Sequence, residues 1–251
     1  MEKLTAIIPT GNEEHNIVAA IKSVDFVDEI MVVDSFSSDK TIELAVPLAD
    51  TILKRKFEYP ASQKNWAIPQ AKYHWILLLD ADERVTPKLK EEIIEIINSN
   101  TIYSGFWIKR VNYFMGKKVR FSGWQGDKVI RLFKRDECKY EDKCVHEEII
   151  SSGKIGLLKN KLIHNTFVSK EVYLKKLDRY AKWQANDYNK KVKTITFFHT
   201  IIKPIFRFIK HYILQLGFLD GYVGFIISIY QAKAVAMRYH YIKKLRDARR
   251  N

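Results

Sequence analysis

Two aspartates follow the most apolar short segment in the first half of the chain. Asp80 and Asp82, separated by Ala81, come directly after the run Trp-Ile-Leu-Leu-Leu at residues 75–79. Carboxylates one residue apart at the end of a buried strand can reach into one cleft, and their hard oxygens suit Mg²⁺ or Mn²⁺ held together with a substrate diphosphate. The spacing therefore predicts a metal that acts as a Lewis acid toward a departing phosphate. The alternative is that Asp82 and Glu83 only cap the next helix.

The segments that position these aspartates alternate between strand and helix. Strands are predicted at 4–9, 29–34, 51–53 and 75–79, and helices at 14–24, 39–45, 62–71 and 87–98, the last with Thr86 as its cap. Alternation with short connections predicts an α/β fold with a doubly wound parallel sheet. Ligands of such sheets bind beyond the carboxyl ends of the strands, where this chain has polar residues at 10–13, 34–37 and 80–83.

Several classes of protein are disfavoured by what the sequence lacks. No Gly-x-Gly-x-x-Gly pattern follows the first strand and no Walker lysine loop occurs, which argues against a dinucleotide enzyme and a P-loop NTPase. Two cysteines, Cys138 and Cys144, are too few for a disulfide framework, so a reducing compartment is expected. The first residues lack the apolar core of a secretory signal, so no export is expected.

The positive charge of the chain is concentrated in its C-terminal part. The net charge is +14, from 43 Lys and Arg against 29 Asp and Glu. Residues 1–153 hold 22 basic and 24 acidic residues, whereas residues 154–251 hold 21 and five, so the two parts carry −2 and +16. A basic balance favours phosphate-rich partners, which are nucleic acid, an anionic membrane or a charged substrate.

The basic part is predicted to form helices at 172–190, 195–216 and 221–241, with a basic cluster at 243–250. Helices rich in aromatic and basic residues suit the interface of an anionic bilayer. The alternative is helices that pack in a core or against a second copy, with their lysines in water. The longest charge-free stretch there, residues 221–232, is shorter than the roughly 20 residues that span a bilayer, so a peripheral protein is expected.

Four segments around the predicted strand ends form one pattern. They read Ile7-Ile8-Pro9-Thr10-Gly11-Asn12-Glu13-Glu14, Val32-Val33-Asp34-Ser35 with Ser38-Asp39-Lys40-Thr41, Gln63-Lys64-Asn65-Trp66-Ala67, and Leu79-Asp80-Ala81-Asp82-Glu83. Together and in this order they resemble glycosyltransferase family 2. The family usually has an aromatic residue in place of Gly11 and an arginine in place of Lys64. The resemblance implies the GT-A fold, a Rossmann-like mixed sheet, here followed by a helical, basic C-terminal extension.

The resemblance also implies roles for the strand ends. The donor, a UDP-sugar, would be bound by Pro9, Thr10, Asn12, Glu13, Asp34, Lys64, Asp80 and Ala81. Asp34 would accept a hydrogen bond from uracil, and Lys64 would neutralise phosphate as a point charge. The metal, Mg²⁺ or Mn²⁺, would be held by Asp80, Asp82 and His146. Simpler alternatives to these ligand roles stay open. Asp34 would then only cap a strand end, Lys64 would lie on a solvated helix face, and His146 would have a structural role.

The acceptor side is expected between residues 101 and 165, with strands at 105–111 and 128–133. Trp124 lies between these strands and is suited to stack on a sugar face or to pack in the core. Arg131 is the second predicted acceptor residue. An inverting transfer needs a general base for the acceptor hydroxyl, and we favour Asp127 over Glu147.

Five segments of the second half form another pattern. They are Arg131-Leu132-Phe133-Lys134-Arg135, Val145-His146-Glu147, the region around His164, Lys176-Leu177-Asp178-Arg179-Tyr180 and Phe218-Leu219-Asp220-Gly221-Tyr222-Val223-Gly224-Phe225. They resemble the subgroup that adds glucose to an inner-core heptose of lipopolysaccharide. The expected organisation is a catalytic domain at 1–165, with a donor half at 1–100 and an acceptor half at 101–165, followed by a helical region at 166–251.

The expected function is therefore metal-assisted hexosyl transfer from a UDP-sugar to a lipid-linked core saccharide. The expected location is peripheral, on the cytoplasmic face of a bacterial inner membrane, and a homo-oligomer stays open. The runner-up is a basic nucleic-acid-binding protein, although acidic residues at the strand ends would repel phosphate unless a metal intervened. Another cell-surface glycan is the alternative acceptor.

Overall fold

A computed structural model of the chain describes residues 2–142, 148–167 and 169–248. Two of the predicted site residues, His146 and Glu147, lie outside the described residues.

The chain divides into two compact units, which we call the sheet unit and the helical unit. The sheet unit comprises Met1–Val111 and Asp127–His164. The helical unit comprises Asn112–Gly126 and Asn165–Asn251. Residues 112–126, which the sequence analysis groups with the acceptor half, thus belong with the C-terminal helices.

The first half of the sheet unit alternates between parallel strands and helices, as the sequence predicts. The strands are β1 (Leu4–Thr10), β2 (Glu29–Asp34), β3 (Thr51–Lys54) and β4 (Trp75–Leu78). The helices are α1 (Ile17–Lys22), α2 (Thr41–Ala45), α3 (Pro60–Ala67) and α4 (Pro87–Asn98). The strands pair in parallel in the order β3-β2-β1-β4, so their carboxyl ends meet at one edge of the sheet.

Beyond β4 the sheet becomes antiparallel, which the strand–helix alternation of the first half does not indicate but the mixed sheet implied by the resemblance does. The further strands are β5 (Glu83–Arg84), β6 (Tyr103–Phe114), β7 (Lys117–Val119), β8 (Lys128–Lys134), β9 (Cys138–Tyr140), β10 (Ile149–Ser151) and β11 (Lys154–Phe167). The order continues β4-β8-β6-β11-β5, and β9 and β10 form a separate two-stranded sheet. The result is a mixed α/β sheet of GT-A type with C-terminal helices, which confirms the fold that the resemblance implies.

Both faces of β1, β2 and β4 are buried, whereas the edge strand β3 is partly exposed. On β1, Ala6 and Ile8 pack with α1 and α4 in one core cluster, whereas Ile7 packs with α3 in the other. This alternation follows from the two-residue period of a strand. It explains the continuous apolar runs in the sequence, because a strand covered on both sides has no water-facing position.

Thr86 caps α4, as predicted, and removing this contact should lower the stability of the protein measurably. Its Oγ1 accepts a hydrogen bond from the backbone N–H of Leu89 at 3.3 Å, and Pro87 occupies the first helical position. We expect Thr86→Ala to lower the free energy of unfolding by about 1 kcal/mol, because one amide at the helix start loses its partner. Urea unfolding of both proteins measures this difference, and equal midpoints would contradict it.

Among the described residues, the helical unit contains three long helices, a 3₁₀ turn at Gly217–Asp220, the strand β7 and the ends of β6 and β11. The helices are α5 (Lys170–Lys191), α6 (Phe198–Leu214) and α7 (Gly221–Asp247). Phe114 packs edge-on against Tyr173, whose ring lies 5.0 Å from that of Tyr230, so β6, α5 and α7 share one aromatic core. Pro204 does not break α6. It lies in the first turn of the central α-helical part, Lys203–Ile209, which has wider π turns on both sides.

One pair of helices has the length and apolar composition expected of a membrane span when the two are taken together. Within the part of the chain that the structure describes, no single helix has both the length and the apolar composition of a membrane span. The segments Phe198–Leu214 and Gly217–Asp247, bent by 70° at the break between them, meet that test when taken together.

Candidate active site

The carboxyl ends of β1 and β2 lie side by side and hold two of the predicted donor residues. Thr10 pairs in register with Asp34, and the carbonyl of Thr10 accepts a hydrogen bond from Ser35 N–H at 2.9 Å. The Thr10 hydroxyl is buried and has no hydrogen-bond partner among the described residues. Buried polar groups are nearly always satisfied, so a hydroxyl in this state at a ligand-binding edge is suited to a bound ligand.

The buried carboxylate of Asp34 organises the loop after β2. Its oxygens accept hydrogen bonds from the backbone N–H of Ser37 at 3.1 and 3.2 Å, and Oδ1 also accepts one from the Ser37 hydroxyl at 2.6 Å. Asp34 therefore has the strand-end role that the sequence left open. Its predicted contact with uracil stays a prediction.

The loop after β1 is tied to the loop after β2. Asn12 has a left-handed backbone with φ of 57°, and its side-chain oxygen accepts a hydrogen bond from Ser38 N–H at 2.8 Å. Glu13 N–H donates to the hydroxyl of Thr41 at 2.7 Å. These contacts fix the backbone that follows Pro9, which is where the resemblance puts the nucleoside.

A buried acidic side chain, Glu83, binds two arginines. It accepts hydrogen bonds from Arg131 Nε at 2.9 Å and Nη2 at 3.0 Å, and from Arg110 Nη1 at 3.1 Å. Arg131 also contacts Asp80, and Arg110 holds both oxygens of Asp127 at 2.7 and 2.9 Å. Planar guanidinium groups suit such two-point contacts. The idea that Glu83 only caps a helix is therefore wrong.

The charges in this network shift the pKa values of its members. Burial opposes ionisation of Asp80, but the positive charges of Arg131 and Lys64 outweigh it and hold the pKa of that carboxyl well below its usual range. Burial lowers the pKa of Arg131, but the charges of Asp80 and Glu83 outweigh it and raise that pKa well above its ordinary value. Asp80 and Arg131 are therefore both ionised at neutral pH.

Lys64 faces this network and not solvent, so the alternative of a solvated helix face is wrong. It is only 7% exposed, and its Nζ lies 3.9 Å from Asp80 Oδ1. The same Nζ lies 4.8 Å from the centre of the Tyr140 ring. The second positive charge beside Asp80 is thus a buried ammonium.

Asp82 points toward a residue that the sequence analysis did not select as a site residue. Its Oδ2 lies 3.5 Å from His164 Nε2. His164 is on β11 and pairs with Glu83 on β5, so the antiparallel edge of the sheet brings the imidazole to the metal motif. The pattern of the sequence gives no signal for this pairing, because the two residues are far apart in the chain and β5 is only two residues long.

The donor set fits a divalent metal shared with a substrate. A carboxylate and an imidazole are ligands that Mn²⁺ accepts, and Mg²⁺ commonly takes one or two protein carboxylates plus phosphate oxygens. Across residues 2–142, 148–167 and 169–248, no group of three or more His, Cys, Asp or Glu side chains is placed to hold a metal. Asp82 and His164 would therefore need oxygens from a bound diphosphate to complete the coordination.

The remaining predicted residues have the following places. Ala81 is buried in the core cluster with α4, and its carbonyl accepts a hydrogen bond from Arg84 at 2.6 Å. Trp124 belongs to the helical unit, where its ring lies edge-on to Phe114 at 6.3 Å. Arg131 is buried and pairs with Asp80 and Glu83, so its side chain is already engaged within the protein. Their roles toward donor and acceptor stay predictions.

A mixed GT-A sheet with acidic, hydroxyl and lysine groups at its strand ends is the framework of a nucleotide-sugar transferase. The chain belongs to glycosyltransferase family 2, because residues 5–159 match the sequence model of the family described as "Glycosyl transferase family 2". The protein is therefore a glycosyltransferase that uses a nucleotide-sugar donor.

Relatives of similar length cover the helical unit as well. An uncharacterized glycosyltransferase of Rickettsia felis is 30% identical over 260 residues, which cover 99% of this chain and 91% of that protein. The lipopolysaccharide core biosynthesis glycosyltransferase LpsC of Rhizobium meliloti is 26% identical over 250 residues, which cover 94% of this chain and 93% of that protein.

Solved structures show more distant likeness. TarS 1–349 of S. aureus in complex with UDP-GlcNAc has a TM-score of 0.46 and 14% identity, over 98% of this chain and 92% of that one. Glucosyl-3-phosphoglycerate synthase of Mycobacterium tuberculosis, in complex with Mn²⁺, UDP and glucosyl-3-phosphoglycerate, has a TM-score of 0.37 and 17% identity, over 45% of this chain and 44% of that one. No residue role in this chain follows from likeness at this level.

Proposed function

We propose that the protein is an inverting hexosyltransferase that moves glucose from UDP-glucose to a heptose in the inner core of lipopolysaccharide or lipooligosaccharide. The observation that carries the proposal is the similarity to the lipopolysaccharide core enzyme LpsC over 94% of this chain. That similarity extends beyond residues 5–159, which the family description matches, and so includes the helical unit.

The proposed donor site lies at the ends of β1, β2 and β4. The unsatisfied hydroxyl of Thr10 and the buried carboxylate of Asp34 supply polar groups for ribose and uracil. The buried ammonium of Lys64 supplies positive charge for the diphosphate, as a point charge without the fixed directions of arginine.

The proposed metal is Mg²⁺ or Mn²⁺, held by Asp82 and His164. A bound metal offsets the charge that develops on the UDP leaving group. Asp80 is the second predicted ligand, and its contacts with Arg131 and Lys64 make it a carboxylate already neutralised by protein cations. Asp82, which faces His164, is therefore the aspartate that we assign to the metal.

The proposed general base is Asp127. As the acceptor hydroxyl attacks the anomeric carbon, the carbon–oxygen bond to UDP breaks, and the hydroxyl proton passes to a carboxylate oxygen of Asp127. Arg110 holds that carboxylate by both oxygens and is in turn held by Glu83, so Arg110 positions the base. Glu147 is the competing base.

The proposed location is the cytoplasmic face of a bacterial inner membrane. A lipid-linked acceptor is presented at a membrane surface, and the charge of +16 in residues 154–251 favours attachment to anionic lipid. Nucleic acid is the less suitable partner, since the chain belongs to a family of sugar transferases.

A donor screen tests the proposed function. The full chain is incubated with Mn²⁺, a heptose-terminated lipid acceptor and UDP-glucose, UDP-galactose or UDP-N-acetylglucosamine, and the released UDP is measured. We expect turnover with UDP-glucose, and we expect Asp34→Asn to raise its KM by about tenfold or more, because a buried charged acceptor for the base is lost. Asp25→Asn is the matched control, since it neutralises an exposed carboxylate of the same unit that pairs with Lys90. Turnover confined to another donor, or transfer to an acceptor without heptose, would overturn the proposal.

A further inference from the structure

The exposed apolar side chains of the protein are concentrated in one stretch of the helical unit. Of the 26 large hydrophobic residues that are exposed in the described part of the chain, fifteen lie between residues 197 and 229. We call them the apolar tip, and they are Phe197, Phe198, Ile201, Ile202, Ile205, Phe206, Ile209, Ile213, Leu214, Leu216, Phe218, Leu219, Tyr222, Phe225 and Ile229. Scattered apolar residues are normal on a protein surface, whereas a concentration of this size marks an interaction surface.

Helix α6 has the reverse of the polarity expected in water. A surface helix of a water-soluble protein turns its apolar stripe inward and its charges outward. In α6 the basic residues Lys203, Arg207 and Lys210 are half-buried, whereas Ile205 and Phe206 are more than half exposed. Lys203 donates a hydrogen bond to the hydroxyl of Tyr239 on α7 at 2.9 Å, so its charge is directed toward the protein. The outward face is therefore built for an apolar medium.

The chain segment that contains the tip is rich in basic residues. Between residues 188 and 246 the chain has eleven Lys or Arg residues and one acidic residue, Asp220. The carboxylate of Asp220 accepts backbone hydrogen bonds from Arg120 and Phe121 at 2.9 Å each, so it is used in fastening the bend within the unit. Six of the eleven basic residues are exposed, and they are Lys190, Lys191, Lys193, Lys233, Lys243 and Lys244.

We propose that the apolar tip inserts into one leaflet of an anionic phospholipid bilayer. Apolar side chains enter the acyl region, and the exposed lysines of the same unit stay at the level of the phosphates, which their long side chains can reach. This inference deepens the membrane location in the proposed function and needs no assumption about the sugar or the acceptor. A bent pair of helices suits entry into a single leaflet, because a bend between short apolar segments keeps them near the surface.

An anionic bilayer fits this surface better than a second copy of the chain. Two copies facing each other through the tip would bring their basic residues together, and like charges that are partly buried repel strongly. Anionic phosphates offset the same charges, at about 1 kcal/mol for each basic residue near the surface.

Flotation of the full chain with vesicles tests this inference. We expect binding to vesicles of phosphatidylcholine and phosphatidylglycerol, with weaker binding to phosphatidylcholine alone. The double variant Ile205→Ser with Phe206→Ser should bind the anionic vesicles at least about tenfold more weakly, because it loses two apolar side chains that the bilayer would bury. Ile102→Ser, at an exposed site 69% accessible in the sheet unit, is the matched control and should bind as the native chain does.

A second measurement covers the case in which the double variant does not fold. Phe206→Trp adds an indole at the tip, and acyl chains brominated near the headgroup should quench the added fluorescence, whereas an indole added by Ile102→Trp should not be quenched. Equal binding of native and double variant, or no quenching at position 206, would overturn the inference. The inference would also be overturned if the native chain formed a dimer that did not bind vesicles and if the double variant were a monomer. UDP release is measured on the same samples. A native chain that turns over but does not bind vesicles rejects the tip alone, and a native chain that binds vesicles without turnover rejects the proposed reaction alone.

Discussion

Replacing Asp82 with asparagine is expected to lower kcat for the UDP-sugar donor by about a hundredfold or more, with the fold intact. Asp82 faces His164 at 3.5 Å, whereas Asp80 is the aspartate of the pair that contacts Arg131 and Lys64. Asparagine keeps the shape of the side chain and removes the charge that binds a divalent metal. Steady-state turnover at increasing Mn²⁺ concentrations measures the effect.

Two comparisons separate loss of a metal ligand from general damage. Asp25→Asn removes an exposed carboxylate of the same unit, which forms only a surface ion pair with Lys90, and it should leave turnover unchanged. Calorimetric titration of Mn²⁺ in the presence of UDP should show binding at least about tenfold weaker for both Asp82→Asn and His164→Ala. Unchanged metal affinity and turnover in Asp82→Asn would reject the metal site.

The strand ends were predictable because their signals are local. The apolar run before Asp80 indicates a strand buried on both faces, and the next residues must then lie at its carboxyl end. The same reasoning holds for Thr10 and Asp34, whose parallel pairing the structure confirms. Thr86 with Pro87 marks the start of α4 within the sequence itself, and the cap is observed.

The charge network was not predictable because its members meet only through non-local pairing. Arg131 on β8 and Arg110 on β6 reach Glu83 because β8 pairs antiparallel with β4 and β6 pairs antiparallel with β8. His164 reaches Asp82 through the pairing of β11 with a two-residue strand. Neither pairing leaves a periodic pattern in the sequence, so a buried carboxylate such as Glu83 resembles a helix cap until its partners are known.

Replacing Glu83 with glutamine is expected to lower the free energy of unfolding by about 3 to 5 kcal/mol. The Glu83 side chain is fully buried and is the shared counter-charge of Arg131 and Arg110. A neutral amide at this position leaves two buried guanidinium groups with less negative charge, and its own N–H groups face other donors. Urea unfolding followed by circular dichroism measures the loss.

A second buried glutamate provides the matched control for this effect. Glu29 accepts hydrogen bonds from neutral donors, the hydroxyl of Thr5 at 2.8 Å and the backbone N–H of Lys72 at 2.8 Å. Glu29→Gln should therefore cost about 1 kcal/mol, since an amide oxygen accepts from neutral donors almost as well. A cost for Glu83→Gln no larger than that of Glu29→Gln would show that the two arginines do not depend on the Glu83 charge. A larger cost accompanied by lower kcat would show that the same carboxylate that stabilises the sheet also holds Arg110 against Asp127.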